Sequence, residues 1–473
     1  MLFDLDGRRH ATGRVAYTTH SGEGVTQRPA EWAEAAVGAL AIVARAAVGG
    51  HVQGIGLSGQ IGTHVLLDAT GEPLHDAITW QDGRSASVVA EVDEAVDADW
   101  LARELDTRLP PGPAWPLART LWLSRALPAH FARARWIAQP KDLLARTLTG
   151  ELVSDPSSWR GLARPDGSIL GAALDRLGLP DLVPPLLAPT RRAGGLLPAI
   201  AERTGLAPGI PVFTGLNDLN ASLLGTGVVT EGRAFDVAGT SEHLGVTVRR
   251  PLVPAGLNGV PLHGSDTRVH TVYGVTSNGG SVTEWALAAF GVDDEQVLAD
   301  LVGSTAPGAR GLLFLPYLRG ERAPVWDAAV RGAFVNLDQS HGTAELVRAC
   351  LEGVALNLRQ IRDRLVEGGV TGDPTILATG GPTRMDAWNR IKADVLQQPI
   401  RLQTETDSAA LGAAMIAAIG SGAHASSPDA AAAMVHEAET IEPDAARAGV
   451  YDDAFGRFLE LYPALSGLGR PAS

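Results

Sequence analysis

The strand and helix pattern of this chain starts afresh near Gly227. Before that point a short buried strand, Ile210–Thr214, ends at Gly215 and gives way to helical residues at Ala221–Gly225. After it, Ala234–Val237 and Leu244–Val248 read as a hairpin around Gly239-Thr240-Ser241, and strand and helix signals alternate to Ile419. A length of 473 residues also exceeds what one hydrophobic core usually organises. The expected organisation is therefore two α/β lobes, 1–228 and 229–455. A C-terminal helix and tail follow over 456–473, frayed from Ser466 onward.

The first lobe opens on Leu2–Asp4 and Ala11–Tyr17, which flank the turn pair Asp6-Gly7 and predict a hairpin. Pro29 starts an Ala-rich helix through Ala47, with Trp32, Ala36, Leu40 and Val43 on one face. Val52–Leu57 and Thr63–Leu67 read as further strands, with Ser58-Gly59-Gln60 between them. The run Phe3-Asp-Leu-Asp-Gly7 resembles the nucleophile motif of haloacid-dehalogenase-like phosphatases. That site needs a full buried strand before its aspartates, and only three residues precede Asp4. A plain hairpin turn explains the segment better.

Composition narrows the partners. A hydrophobic share of 45% and a charged share of 19% describe an ordinary globular chain. A net charge of −14 argues against a nucleic-acid partner, which calls for a basic face. It does not argue against a nucleotide held by backbone N–H groups and Mg²⁺. Cys350, the single cysteine, sits in Thr343–Gly368 among Leu346, Val347, Leu351, Val354, Leu358, Ile361 and Leu365 at helical spacing, so a buried core thiol is expected. The N-terminus has no signal-peptide pattern, and apolar runs such as Ala409–Ile419 are too short and Gly/Ala-rich to span a bilayer. A cytoplasmic location is the expectation.

Several segments could carry chemistry. Phe213-Thr-Gly-Leu-Asn-Asp-Leu-Asn220 puts Asp218 at the C-terminal end of a buried strand, where ligands gather in open α/β sheets. A carboxylate there can accept the proton of an attacking hydroxyl, and an aspartate capping the next helix is the other reading. The backbone and hydroxyls of Gly239, Thr240 and Ser241 could cradle phosphate oxygens, although such a triplet also makes a simple hairpin turn. Gly279-Gly280 before Val282–Phe290, and Thr379-Gly380-Gly381-Pro382 between a strand and the helix Asp386–Leu396, let backbone approach a nucleotide. Neither is a Walker A or Rossmann sequence. Trp80-Gln-Asp82-Gly-Arg84 suits stacking on a sugar and gripping its hydroxyls; a structural Asp–Arg pair at a turn is the alternative. The 12 histidines show no zinc-binding spacing, and no metal ligand is assigned.

Taken in order, these segments resemble the FGGY carbohydrate kinases over nearly the whole chain. Ser58-Gly-Gln60 with Leu66-Leu-Asp68, and Trp80-Gln-Asp-Gly-Arg84, are similar to the family's first sugar-site segments. Pro140-Lys-Asp-Leu-Leu144 followed by Leu148-Thr-Gly-Glu151 resembles its mid-lobe signature. Gly215-Leu-Asn-Asp218 falls at its catalytic aspartate and Gly239-Thr-Ser241 at its phosphate-contacting turn. The most distinctive match is Leu315-Pro-Tyr-Leu-Arg-Gly-Glu-Arg-Ala-Pro324. Thr379-Gly-Gly-Pro382 with Trp388, and Ala410-Leu-Gly-Ala-Ala414, complete the second lobe.

The resemblance implies two ribonuclease-H/actin-like ATPase lobes with an interdomain cleft, and ATP-dependent phosphorylation of a terminal hydroxyl on a sugar, ketose, polyol or sugar acid. It implies Asp218 as general base, and Gln60, Trp80, Asp82, Arg84 and Asn217 on the substrate. Gly239, Thr240, Ser241, Gly280, Gly380 and Gly381 would approach ATP, with Mg²⁺ as its counterion.

Two departures qualify the implication. In the family an Asp-x-Gly-Thr hairpin precedes the strand corresponding to Leu2–Asp4, and this chain begins after it. The expectation is a first lobe short of one strand, with an open sheet edge that could promote association as a homodimer. A sugar-binding pseudokinase is the alternative function. Xylulokinase-like members also have Gln-Met-His-Gly where this chain has Gln60-Ile-Gly-Thr63, so the comparison does not single out one sugar.

Overall fold

The computed structural model describes the chain except residues 48–50, 106, 110–111, 251, 265–267, 293 and 469–473. The end of the tail expected to fray lies outside the described residues. The final helix runs Ala448–Leu465. The chain divides into two compact units: Met1–Val229 with Val260–Val269 and Ser408–Val435, and Thr230–Gly259 with His270–Asp407 and His436–Ser473.

In the first unit, backbone bonds join Ile55 to Pro211 and Phe213, and Ser58–Gly59 pairs in parallel with Leu216–Asn217. The two segments end side by side, Gly59 opposite Asn217. Their neighbours in sequence, Gln60 and Asp218, therefore emerge together at the C-terminal end. Behind them Val37, Leu57, Ala145, Leu148, Ile200 and Val212 form a buried apolar cluster.

The segment Ser408–Val435 was expected in the second lobe, and the structure places it in the first unit. The reason is glycine contact between helices. A side chain at Gly412 would meet the Ala221 carbonyl oxygen at 1.9 Å, and one at Gly225 would meet that of Ser408 at 2.0 Å. Helices Asp218–Gly225 and Ser408–Gly420 thus pack backbone on backbone, with Leu224, Leu411, Met415 and Ile416 in their shared core. The motif Ala410-Leu-Gly-Ala-Ala414 buttresses the Asp218 helix.

The N-terminal hairpin forms, but its second strand is Arg9–Ala11 rather than Ala11–Tyr17. The residues after it lie over the helix Pro29–Ala44, where Val15 comes within 3.2 Å of the Cβ position of Gly38.

The second unit is organised on a mixed sheet. His270–Thr276, Glu242–Val248, Ala234–Ala238, Ile376–Thr379, Ile400–Gln403 and Glu437–Ile441 are neighbours in that order. Ala234–Ala238, Ile376–Thr379 and Ile400–Gln403 are parallel, the arrangement that needs helical crossovers. The crossover helices cover the sheet. Thr343–Glu367 buries Cys350 in the apolar core, where burial pushes its thiol far up. Among the described residues no helix is long and apolar enough to cross a membrane.

Candidate active site

Asp218 is the first residue of its helix, and it is not the cap. The cap is Asn217, whose side-chain oxygen accepts from the Asn220 N–H at 2.9 Å. The Asn217 amide also donates to the Ser157 carbonyl at 2.6 Å, and its backbone N–H donates to the Ser157 hydroxyl at 3.2 Å. Asn217 is buried with these bonds directed into the fold, so the expected substrate contact becomes a support for the residue beside it.

That support continues inward. Ser157 and Ser158 hydroxyls bond Asp155, and the Lys141 ammonium bridges Asp155 at 3.0 Å and Asp142 at 3.2 Å. All of these groups are buried. The sequence signal for them was the Pro140-Lys-Asp segment, which showed a pattern without showing what it holds.

With Asn217 taking the cap, the Asp218 carboxylate turns toward the neighbouring segment. Its Oδ1 accepts from the Leu219 N–H at 2.9 Å and, more loosely, from the Ile61 N–H at 3.4 Å. Burial of the carboxyl pushes its pKa up to about 6, against these two N–H groups and the charge of Arg160, which pull it down. Arg160 is a charge near Asp218 that the sequence reading did not weigh. A carboxyl poised near neutrality suits proton abstraction.

Gln60 follows Ser58–Gly59 and donates from its amide to Gln27 Oε1 at 2.7 Å, which also receives the Trp32 indole N–H. Trp80 is half-buried, with its backbone N–H on the Thr63 hydroxyl at 3.2 Å. Gly62 N–H donates to Gln139 Oε1 at 3.3 Å. The expectation that Asp82 and Arg84 grip substrate hydroxyls meets a different arrangement. Asp82 is buried and accepts from the Val25 N–H at 2.9 Å and from the Arg84 backbone and guanidinium, the closest at 2.6 Å. Buried Arg119 binds the Thr79 and Asp82 carbonyls from behind. Although burial opposes ionisation, the bonds from Arg84 and Val25 hold the Asp82 carboxyl below the usual range. These residues clasp the loop that presents Trp80 and exposed Gln81; Arg84 also lies over the Trp122 ring at 4.9 Å.

In the second unit the three expected glycine segments converge. Gly279, Gly280 and Ser281 N–H groups donate to the Thr240, Gly239 and Thr240 carbonyls at 3.2, 2.7 and 3.3 Å. The start of helix Gly280–Phe290 thus locks the Gly239–Ser241 turn, leaving Thr240 exposed at its tip. A side chain on Gly280 would meet the Gly239 carbonyl at 2.7 Å and Pro382 at 3.1 Å, so the Gly380-Gly381-Pro382 segment closes on the same place. Gly380 has φ +106° and its Cβ would lie 1.8 Å from the Ala238 carbonyl oxygen, while among the described residues nothing stands within 4 Å of that position on Gly381. The three segments thus meet in close backbone contact, with Gly381 and the exposed Thr240 left open at the junction. Replacing Gly380 by Ala is expected to raise the KM for ATP without moving that of the acceptor, read from steady-state kinetics.

Beneath the turn, buried Lys392 donates to Asp236 Oδ2 at 2.6 Å and Glu242 Oε1 at 2.9 Å. Among the described residues no group of three or more His, Cys, Asp or Glu is placed to hold a metal. The fit for Mg²⁺ is that of an ion carried chiefly by phosphate oxygens and water.

Comparisons with known proteins cover both halves of the chain. Residues 1–225 match the N-terminal domain, and 235–421 the C-terminal domain, of the FGGY family of carbohydrate kinases. The chain is similar to a xylulose kinase of Bacillus subtilis, 30% identical over 92% of this chain and 88% of the relative. It is also similar to a gluconokinase of the same species, 27% identical over 88% of this chain and 84% of the relative. A solved gluconate kinase from Lactobacillus acidophilus superposes with a TM-score of 0.88 at 25% identity, covering 99% of this chain and 95% of that one.

Proposed function

This chain belongs to the FGGY family of carbohydrate kinases and uses ATP with Mg²⁺, and we propose that it phosphorylates a hydroxyl of a ketose or sugar acid, with Asp218 as the general base. The single observation that carries the assignment is the Asp218 carboxyl at the paired segment ends, supported by Asn217 and poised near neutrality. The names of the relatives, xylulose kinase and gluconokinase, suggest the two acceptor classes.

When bound, Mg-ATP supplies the phosphoryl group, with Mg²⁺ neutralising its charge. This chain's residues do the rest. Trp80 and Gln60 hold and orient the acceptor, and Asp218 takes the proton of its hydroxyl as that oxygen becomes nucleophilic. The Gly239–Ser241 turn and the backbone at Gly280, Gly380 and Gly381 hold the nucleotide. Asn217, Ser157, Asp155 and Lys141 are positioning residues: they fix where Asp218 points, and Asp82, Arg84 and Arg119 fix the Trp80 loop.

The test is ATP turnover against a panel containing xylulose, other ketoses, gluconate and polyols. Turnover concentrated on ketoses or on sugar acids selects between the two classes, and absence of turnover with every acceptor overturns the proposal. The pH profile gives a second test. Asp218 accepts a proton only when ionised, so kcat/KM for the acceptor should rise with pH through about 6 and level off above it. A rise centred near the ordinary aspartate value of 3.8 would contradict a buried base.

A further inference from the structure

We infer that Glu321, which lies in the Leu315–Pro324 signature and has no part in the chemistry above, is the positioning residue for the nucleotide loop Ser277–Gly280. The inference rests on the reading of Gly239–Ser241 and Gly280 as nucleotide contacts.

Glu321 is 3% exposed, yet it accepts five hydrogen bonds. Oε1 takes the backbone N–H groups of Ser277 and Arg322, both at 2.7 Å. Oε2 takes the Thr276 hydroxyl at 2.6 Å and the side-chain amides of Asn357 at 3.2 Å and Asn278 at 3.3 Å. Three of the five donors belong to consecutive residues, Thr276, Ser277 and Asn278, at the point where the strand His270–Thr276 gives way to the loop. The loop is tied a second time, because the Asn278 amide also donates to the Gly320 carbonyl at 2.8 Å and the Arg322 guanidinium reaches the Ser277 hydroxyl at 3.1 Å.

The loop then runs straight into Gly279, Gly280 and Ser281, whose N–H groups hold the Gly239 and Thr240 carbonyls. A continuous set of bonds therefore joins Glu321 to the phosphate-contacting turn. Every bond around Glu321 points a donor at it, so only an acceptor on both oxygens satisfies the set. Burial pushes its pKa up, and the Thr276 and Ser277 donors oppose that shift. A glutamine in its place must turn an NH₂ group toward donors on one side, which breaks either the backbone pair or the side-chain set.

The measurement is ADP affinity of the full chain by calorimetry, with steady-state KM values for ATP and acceptor. Glu321→Gln should weaken ADP and raise the KM for ATP on the order of tenfold or more, while the acceptor KM stays within about twofold, as expected when charge-assisted bonds to one loop are lost. Glu352→Gln is the matched control. It is another buried glutamate of the same unit, bonded to Arg348, Tyr451 and Gly308, and should lower Tm without changing ADP affinity. Thr276→Val removes one donor to Glu321 together with the acceptor of the Asn278 N–H, and should give a shift of the same kind, whether or not Glu321→Gln folds. Unchanged ADP affinity in Thr276→Val and in folded Glu321→Gln, or an equal loss in Glu352→Gln, overturns the inference. Failure of the parent chain to bind ADP instead overturns the nucleotide reading on which it rests.

Discussion

Asp218→Asn is expected to lower kcat by roughly 10²–10⁴-fold while leaving acceptor binding nearly intact, the usual cost of removing a general base. Asparagine matches aspartate in shape, and its side-chain oxygen can still receive the Leu219 and Ile61 N–H groups. Asn217 would continue to cap the helix, because its bonds to Ser157 and Asn220 do not involve residue 218. What disappears is the ability to take a proton. The KM for the acceptor should therefore move little, and the pH-dependent rise of kcat/KM near 6 should vanish from the residual activity.

The same variant should gain stability at neutral pH. The folded-state pKa of Asp218, about 6, lies above its unfolded value near 3.8, so the fold favours the protonated carboxyl. That contribution is present at low pH and is lost as pH rises from about 4 through about 6, leaving an ionised carboxylate half-buried at pH 7. Asparagine carries no such charge. A variant that is less active and melts higher would mark the residue as a catalytic one held against stability. Full activity in Asp218→Asn would remove it from the mechanism.

Lys392→Met should cost about 3–5 kcal/mol of stability in the second unit, the range for breaking a buried ion pair from one side. The ammonium is fully buried and holds Asp236 and Glu242, which are fully buried as well. Two carboxylates already share one cation here, Lys392 donating to Asp236 Oδ2 and Glu242 Oε1. Burial and the neighbouring Asp236 push the Glu242 pKa up, with Lys392 opposing the shift. Without Lys392 the two buried carboxylates lose the cation between them.

The sign of the pH dependence follows. Glu242 binds its proton more tightly in the fold than in the unfolded chain, where the ordinary value is 4.5, so stability falls as pH rises above that value. The dependence should steepen in Lys392→Met, which should recover much of its stability at pH 5 relative to pH 8. Adding Glu242→Gln should relieve part of the loss by removing one charge. Chemical denaturation at the two pH values measures all three variants, and a Lys392→Met protein within about 1 kcal/mol of the parent would show that the triad is not held as described. Asp236 and Glu242 flank the Gly239–Ser241 turn on adjacent strands, so a weakened triad should also raise the KM for ATP.

How much of this was legible before folding depends on how local the cause is. Glycine and hydrophobic spacing are local, and they located the strand before Asp218, the hairpin around Gly239–Ser241 and the long helix that buries Cys350. The chemistry of Asp218 could be posed from the strand-to-helix junction, but an aspartate cap explained that junction equally well. Asn217 takes the cap while Ser157, 60 residues earlier, holds its amide, so the aspartate-cap reading falls away and the catalytic reading is the one proposed.

Partner choice between distant segments escaped the sequence for the same reason. Trp80-Gln-Asp-Gly-Arg84 suited either a sugar grip or a structural Asp–Arg pair, and the approach of Val25 and Arg119 shows Asp82 and Arg84 clasping each other and the loop. The Ala410–Ala414 motif carried no mark of the unit it would join, since that depends on Gly412 meeting the Ala221 backbone. The sequence by itself determined the repeated α/β pattern and the residue types at the candidate site, through periodicity, turn chemistry and strand ends. The tertiary structure decided which polar groups remain available to a ligand and which are consumed in holding the site, because a hydrogen-bond partner is set by neighbours in space.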